Sequence, residues 1–149
     1  MFSTNSPAAL ATERGALDRA LMVVAEESFF AMVDPVPDVM PVDEGSILAA
    51  CVVFEGTFSG SLTCRMPRAL AHELTGAFTG EEVSSGGGSV NDLAGEFANM
   101  VCGRWLSDVA PQSLFRLAQP VVVPVARPSR APTGVINGQP IWVDLKVER

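Results

Sequence analysis

Asp92, Glu96 and Asn99 stand at i, i+4 and i+7 in the segment GSVNDLAGEFANMVCG, residues 88–103, where almost every other side chain is small or apolar. At ~100° per residue they share one face of a helix with Gly103. Leu93, Phe97, Met100 and Val101 fall on another side, and Ala94, Ala98 and Cys102 make a strip of small residues suited to close packing. The acid–amide strip therefore points to water or to a partner. It offers carboxylates that accept hydrogen bonds or pair with a cation, and an amide that both donates and accepts and never titrates.

Each of these residues also has a plain structural reading. Ser89 with Asp92 fits the [ST]-x-x-[DE] signature of a helix N-terminus, so Asp92 can serve as a cap. Glu96 is a good helix former on a wet face. Asn99 fits less easily, because Asn competes with the backbone for hydrogen bonds inside helices. Gly103 in a helix costs about 1 kcal/mol relative to Ala, and a glycine one turn beyond Asn99 is what close approach by another molecule requires.

No other constellation stands out. His72 has no evident partner and reads as a surface helix residue, and no Cys–His or Ser–His pairing is evident. SSGGGS lacks the lysine of a phosphate-binding GxxxxGK[ST] loop. Cys51, Cys64 and Cys102 are odd in number, without CxxC spacing, and read as buried thiols of a reducing compartment. No metal site and no cofactor of the chain's own is expected.

The elements that must hold the strip can be read from the rest of the chain. Its 149 residues suit one domain, expected over residues 12–149 behind a loose small-residue tail at 1–11. Hydrophobic residues make up 48% and charged ones 18%, which favours a folded globule over disorder. The net charge of −7, from 17 acids against 10 Lys plus Arg, opposes nucleic-acid and anionic-membrane partners. No secretory signal pattern opens the chain, and ALMVVAEESFFAMV is interrupted by Glu26 and Glu27 and too short to span a bilayer. A cytoplasmic location is expected.

Leu17, Leu21, Val24, Ala25, Phe29 and Met32 recur at helical spacing between about Glu13 and Val33. DPVPDVMPVDEG cannot continue that helix. ILAACVVFEGTFSGSLTCRM reads as two strands around a turn near Thr57 and Phe58, which could set Cys51 opposite Cys64. Pro67 suits the first turn of a second helix carrying Leu70, Leu74 and Phe78. GEEVSSGGGS reads as a loop, and the strip's helix runs from Ser89 to about Asp108. SLFRLAQPVVVPV reads as a strand, with Pro120 as an interruption or an edge position. PIWVDLKVE alternates Ile141, Val143, Leu145 and Val147 against Trp142, Asp144, Lys146 and Glu148. The sum is an α+β fold with helices packed on a mostly antiparallel sheet.

DLAGEFANMVCG resembles the D/S-x₃-E-x₂-N signature of the CheC/CheX/FliY family of chemotaxis phosphatases, and residues 13–147 as a whole resemble a CheX-type domain. The flanks agree in kind: a helix ending SFFAM, the hairpin FEGTFSGSLTCRMP, then a helix ending TGAFTG. The resemblance implies a CheX/CheC-like fold and hydrolysis of the aspartyl-phosphate on a CheY-like response regulator, whose receiver domain supplies Mg²⁺ and a lysine. Carried over, Glu96 docks on that lysine, Asn99 enters the receiver site to orient the attacking water, and Asp92 takes the first signature position. Such hydrolysis needs a held water rather than a base of shifted pKa.

Family members usually carry a proline well after the Asn, a place that Pro120 and Pro124 bracket. CheC-like relatives can carry a second signature helix, but RALAHELTGAF has Glu73 without an Asn three residues later, which favours the CheX type. CheX-type domains tend to dimerise, and the alternating C-terminal strand offers a pairing edge. A non-catalytic adaptor of the same fold, binding a response regulator or flagellar switch component, is the alternative.

Overall fold

A computed structural model describes residues 7–38, 40, 45–79 and 87–148. In chain order they form α1 (Pro7–Phe29), β1 (Val33–Asp34), β2 (Ile47–Gly56), β3 (Ser59–Pro67), α2 (Arg68–Thr79), α3 (Gly87–Val109), β4 (Phe115–Leu117), β5 (Val121–Val125), β6 (Gly134–Ile136) and β7 (Gln139–Glu148). The strands order as β1-β6-β7-β3-β2-β4, with β5 also on β2, and each described pair is antiparallel. The helices cover one face of this sheet. Leu48, Ala50, Val52 and Phe54 of β2, Leu62, Cys64 and Met66 of β3, and Ile141 and Val143 of β7 meet the buried sides of α1, α2 and α3 in one core.

Helix α1 begins at Pro7, so the loose tail expected over residues 1–11 is helical from its seventh residue. Proline suits a first helical position, and the AALA that follows is strongly helix-forming. Leu17, Leu21, Val24, Ala25 and Phe29 are buried as their spacing requires. The helix stops at Phe29 rather than near Val33. Phe30 takes a left-handed backbone conformation, φ 53°, and the Ala31 N–H donates to the Ala25 carbonyl at 3.0 Å. Met32, placed by its spacing on the helix's apolar side, lies beyond the end and is exposed. Pro67 closes β3 rather than opening α2, which starts at Arg68.

The hairpin turns at Thr57–Phe58 as expected, but its register pairs Cys51 with Thr63 and Ala50 with Cys64. A slip of one residue moves a side chain to the other face of a strand. Cys51 therefore lies on the outer side of the sheet, while Cys64 is buried in the core under the helices. All three cysteines are free thiols. Trp142 keeps its direction in the alternation of β7 but not the exposure expected there. It points to the outer face yet is buried, with the Arg127 guanidinium 5.3 Å from its ring and its Nε1 donating to the Arg130 carbonyl at 3.0 Å. The connector after β5 thus folds across this part of the sheet.

β7 pairs with β3 over Trp142–Glu148 and with β6 over Gln139–Ile141. The pairing edge expected of this strand is confined to its far end, where Asp144–Glu148 carry a partner strand on one side among the described residues. SLFRLAQPVVVPV is one interrupted edge strand: β4 and β5 both pair with β2, and the Ala118 N–H donates to Val53 carbonyl oxygen at 2.8 Å in the break between them.

Burial raises the pKa of both interior thiols. Cys102 is pushed up to about 12, by desolvation first and the neighbouring Cys51 second. Cys64 is pushed up further, by desolvation and then by Cys102 and Asp144, against the opposing effect of Arg65. In the unfolded chain these thiols ionise near the ordinary value of 9.0. The unfolded state then binds fewer protons than the folded one, so stability must fall as pH rises through that range. Denaturant unfolding should show a loss above about pH 9 that Cys102→Ala reduces. A thiol reagent at about pH 8 should reach at most Cys51 in the native protein, and all three cysteines after denaturation.

Candidate functional site

Helix α3 is enclosed on three sides. Its N-terminal half meets α1 through Phe97, whose ring centroid lies 5.1 Å from that of the buried Phe29. Its C-terminal half is anchored by Trp105, which joins Phe54, Phe58 and Phe115 in an aromatic cluster spanning the hairpin and β4. Ala94, Ala98, Val101 and Cys102 are buried as well. On the side away from α1 the helix meets the break between β4 and β5. A Cβ added at Gly95 would stand 3.2 Å from Pro120 Cβ and 3.4 Å from Val122 Cγ2. Of the two prolines that bracketed this place in the sequence, Pro120 is therefore the one against α3, while Pro124 is exposed and paired in β5.

What remains open is the predicted strip. Asp92 and Glu96 are exposed, and Asn99 and Gly103 are partly exposed along the same face. A Cβ at Gly103 would meet nothing within 4 Å, so the helix is bare there. Among the described residues neither Asp92 nor Glu96 has an ion-pair partner, and the Asn99 amide makes no side-chain hydrogen bond. The nearest cation along the helix, Arg104, is engaged instead by Asp108, its Nε donating to Oδ1 at 3.2 Å and Oδ2 at 3.1 Å. The strip keeps its negative charge and its free amide.

The capping reading of Asp92 does not hold. The helix starts at Gly87, two residues before Ser89, and carries no acidic residue in its first turn. Asp92 sits further along, on the open face with Glu96 and Asn99. Residues 80–86 of the Gly-rich loop lie outside the described residues, as does the Phe78 side chain. On α2, Glu73 accepts a hydrogen bond from Gln139 Nε2, so the lone carboxylate of that helix is already engaged. His72 is exposed, as expected. No three His, Cys, Asp or Glu side chains converge to hold a metal ion among the described residues, and no helix there is long and apolar enough to cross a membrane.

Residues 48–130 match the model of the family described as chemotaxis phosphatase CheX. That span covers more than half of the chain and includes the hairpin, α2, the whole of α3 and both segments of the edge strand. The chain belongs to the CheX family. Among curated proteins none matches it. Its fold is shared with solved CheX structures. The chemotaxis protein CheX of Vibrio vulnificus is 21% identical, with a TM-score of 0.67 over 90% of this chain and 95% of that one. A CheX from Desulfovibrio desulfuricans is 18% identical, TM-score 0.67, over 92% and 99%. The CheX of a Borrelia burgdorferi complex with CheY, BeF₃ and Mg²⁺ is 14% identical, TM-score 0.64, over 91% and 97%.

Two features of the fold around α3 and the end of α1 escaped the sequence. Gly95 lies inside the quoted segment but shows its use only when Pro120 and Val122 are seen against it. Phe30, at the end of α1, is large, apolar and 83% exposed, and no periodicity marks a residue beyond a helix end. The two glycines of α3 should respond differently to substitution. Gly103→Ala meets open space and should stabilise by about 1 kcal/mol. Gly95→Ala must displace Pro120 and should gain less or lose stability. Denaturant midpoints at unchanged m-value test this, and equal shifts for the two variants would contradict the packing described.

Proposed function

We propose that this chain hydrolyses the aspartyl-phosphate of a CheY-like response regulator, with α3 laid against the phosphorylated receiver domain. Glu96 docks on the receiver's active-site lysine. Asn99, one turn on, enters the site and holds a water in line with the phosphorus. Asp92 adds charge at the rim, and Gly103 leaves the space that the partner's backbone needs. The observation carrying the reading is the pair Glu96 and Asn99, open and uncommitted on a helix otherwise fixed by its core, in a chain of the CheX family. The Borrelia burgdorferi CheX complexed with CheY supports the choice of partner.

The chemistry asks little of this chain. An acyl phosphate is already activated, and on this reading Mg²⁺ and the charge-neutralising lysine belong to the receiver. What the chain adds is position, and confining a water in line removes entropy from the barrier. An amide can accept a hydrogen bond from that water and donate one to a phosphoryl oxygen at any physiological pH.

Decay of a phosphorylated cognate receiver tests the proposal. Asn99→Ala should slow the accelerated decay by about a hundredfold or more while leaving complex formation largely intact. Glu96→Ala should weaken the complex about tenfold or more, with a reduced dependence on salt. Gly103→Leu should stay folded and block docking; a folded Leu variant that binds normally removes Gly103 from the site. If the parent protein binds the receiver and leaves its decay unchanged, the adaptor reading replaces the phosphatase. Pairing of two copies along the open side of Asp144–Glu148 belongs to the same family reading, and a monomer by light scattering at micromolar concentration would remove it.

A further inference from the structure

Phe30 holds a conformation that works against the stability of the fold. It occupies the first position past α1, with φ 53°, and the Ala31 N–H bond back to the Ala25 carbonyl closes the helix over it. That position favours glycine, because a Cβ crowds the backbone in the left-handed region. A bulky residue there is accepted where something else repays the strain. Packing does not repay it, since the Phe30 side chain is 83% exposed. Met32, two residues on, is 65% exposed.

The place of this aromatic in the fold gives it a use. Phe29 is seated on Phe97, and Phe97 directly follows Glu96. Helix periodicity puts Phe97 and Met100 on the flank of α3 that faces α1, with Glu96 at the crest and Asn99 turned towards the Pro120 side. The end of α1 therefore lies against the flank of α3 beside Glu96, with Phe30 the exposed residue that directly follows this contact, and Pro120 packs at Gly95 on the other flank. An exposed aromatic at the border of a charged docking strip is the usual composition of an interface anchor, where buried apolar area supplies affinity and rim charges supply orientation.

We infer that Phe30, with Met32 beside it, forms the apolar anchor of the surface that takes the receiver domain, extending the docking face from α3 onto the end of α1. This rests on the function proposed above. The fitting partner surface is an apolar patch flanking the receiver's lysine-bearing phosphorylation site. Glu96 and Asn99 then set the orientation, and Phe30 supplies much of the affinity.

Phe30→Gly separates this from a structural role, because glycine is the favoured residue at that backbone position. The variant should unfold at the parent's temperature or higher, yet raise the receiver concentration for half-maximal decay about tenfold, the effect of losing an anchor worth about 1.4 kcal/mol. Phe30→Trp should restore affinity. Asn99→Ala acts instead on the maximal rate. Calorimetric titration with a beryllofluoride-loaded cognate receiver reads binding separately from hydrolysis. Parent binding without hydrolysis would overturn the phosphatase and leave the anchor supported if Phe30→Gly still weakens the complex. Unchanged affinity of a folded Phe30→Gly protein overturns the anchor alone. A parent that binds no cognate receiver overturns both.

Discussion

The rotational setting of α3 about its own axis is the constraint on which the rest depends. A helix turned by one residue, ~100°, in one sense would carry Glu96 into the buried place now held by Phe97, and in the other would bring the Phe97 ring to the open face. Two contacts oppose this: Phe97 on Phe29 towards α1, and Trp105 among Phe54, Phe58 and Phe115 over the hairpin. Each fully buried aromatic is worth roughly 1.5–3 kcal/mol, and burying an unpaired carboxylate costs more than that. The setting is thus held at two places along the helix, and the strip is aimed by the core without hydrogen bonds of its own. The small residues serve the same end: Ala94 and Ala98 let the helix lie close to the sheet, and Gly95 lets the Pro120 connector press against its flank.

Much of this was legible because the signals were periodic. The α3 pattern separates three kinds of side chain on three sides, and the structure keeps that separation for Leu93, Phe97, Ala94, Ala98, Cys102 and the open strip. The hairpin alternation of Leu62, Cys64 and Met66 against Ser61, Thr63 and Arg65 survives for the same reason. Where a reading depended on one residue at a boundary, it slipped. Ser89–Asp92 has the form of a cap, but the helix starts at Gly87, so the carboxylate fell on the open face. Cys51 and Cys64 missed one another because hairpin register follows the turn, and one residue of offset sends a side chain to the opposite face.

Other features were not legible because they are made by contacts distant in sequence. Trp142 obeys the alternation of β7 and should be wet, yet the Arg127–Arg130 segment crosses the outer face and covers it. The contact of Pro120 with Gly95 of α3 was not read from the sequence, which marked Pro120 and Pro124 only as bracketing the place of the family's proline. The backbone strain at Phe30 has no sequence signature, since the turn that follows a helix is commonly glycine and here is not.

The lack of a general base near the strip is a consequence of the chemistry proposed rather than a gap in the site. Of the titratable groups that burial perturbs, Cys64 and Cys102 lie behind α3 in the core, held protonated and out of reach of any substrate. A strip that positions a water for an already activated phosphate needs fixed direction and correct spacing, and those come from a rigid helix with an untitratable amide. Affinity is then a separate requirement, which a single docking carboxylate meets only in part. A partner held only by rim charges would be loosely placed, and a water aimed by Asn99 would share that looseness. In the proposed complex the side chain that answers that need is Phe30, displayed with a left-handed backbone at the end of α1.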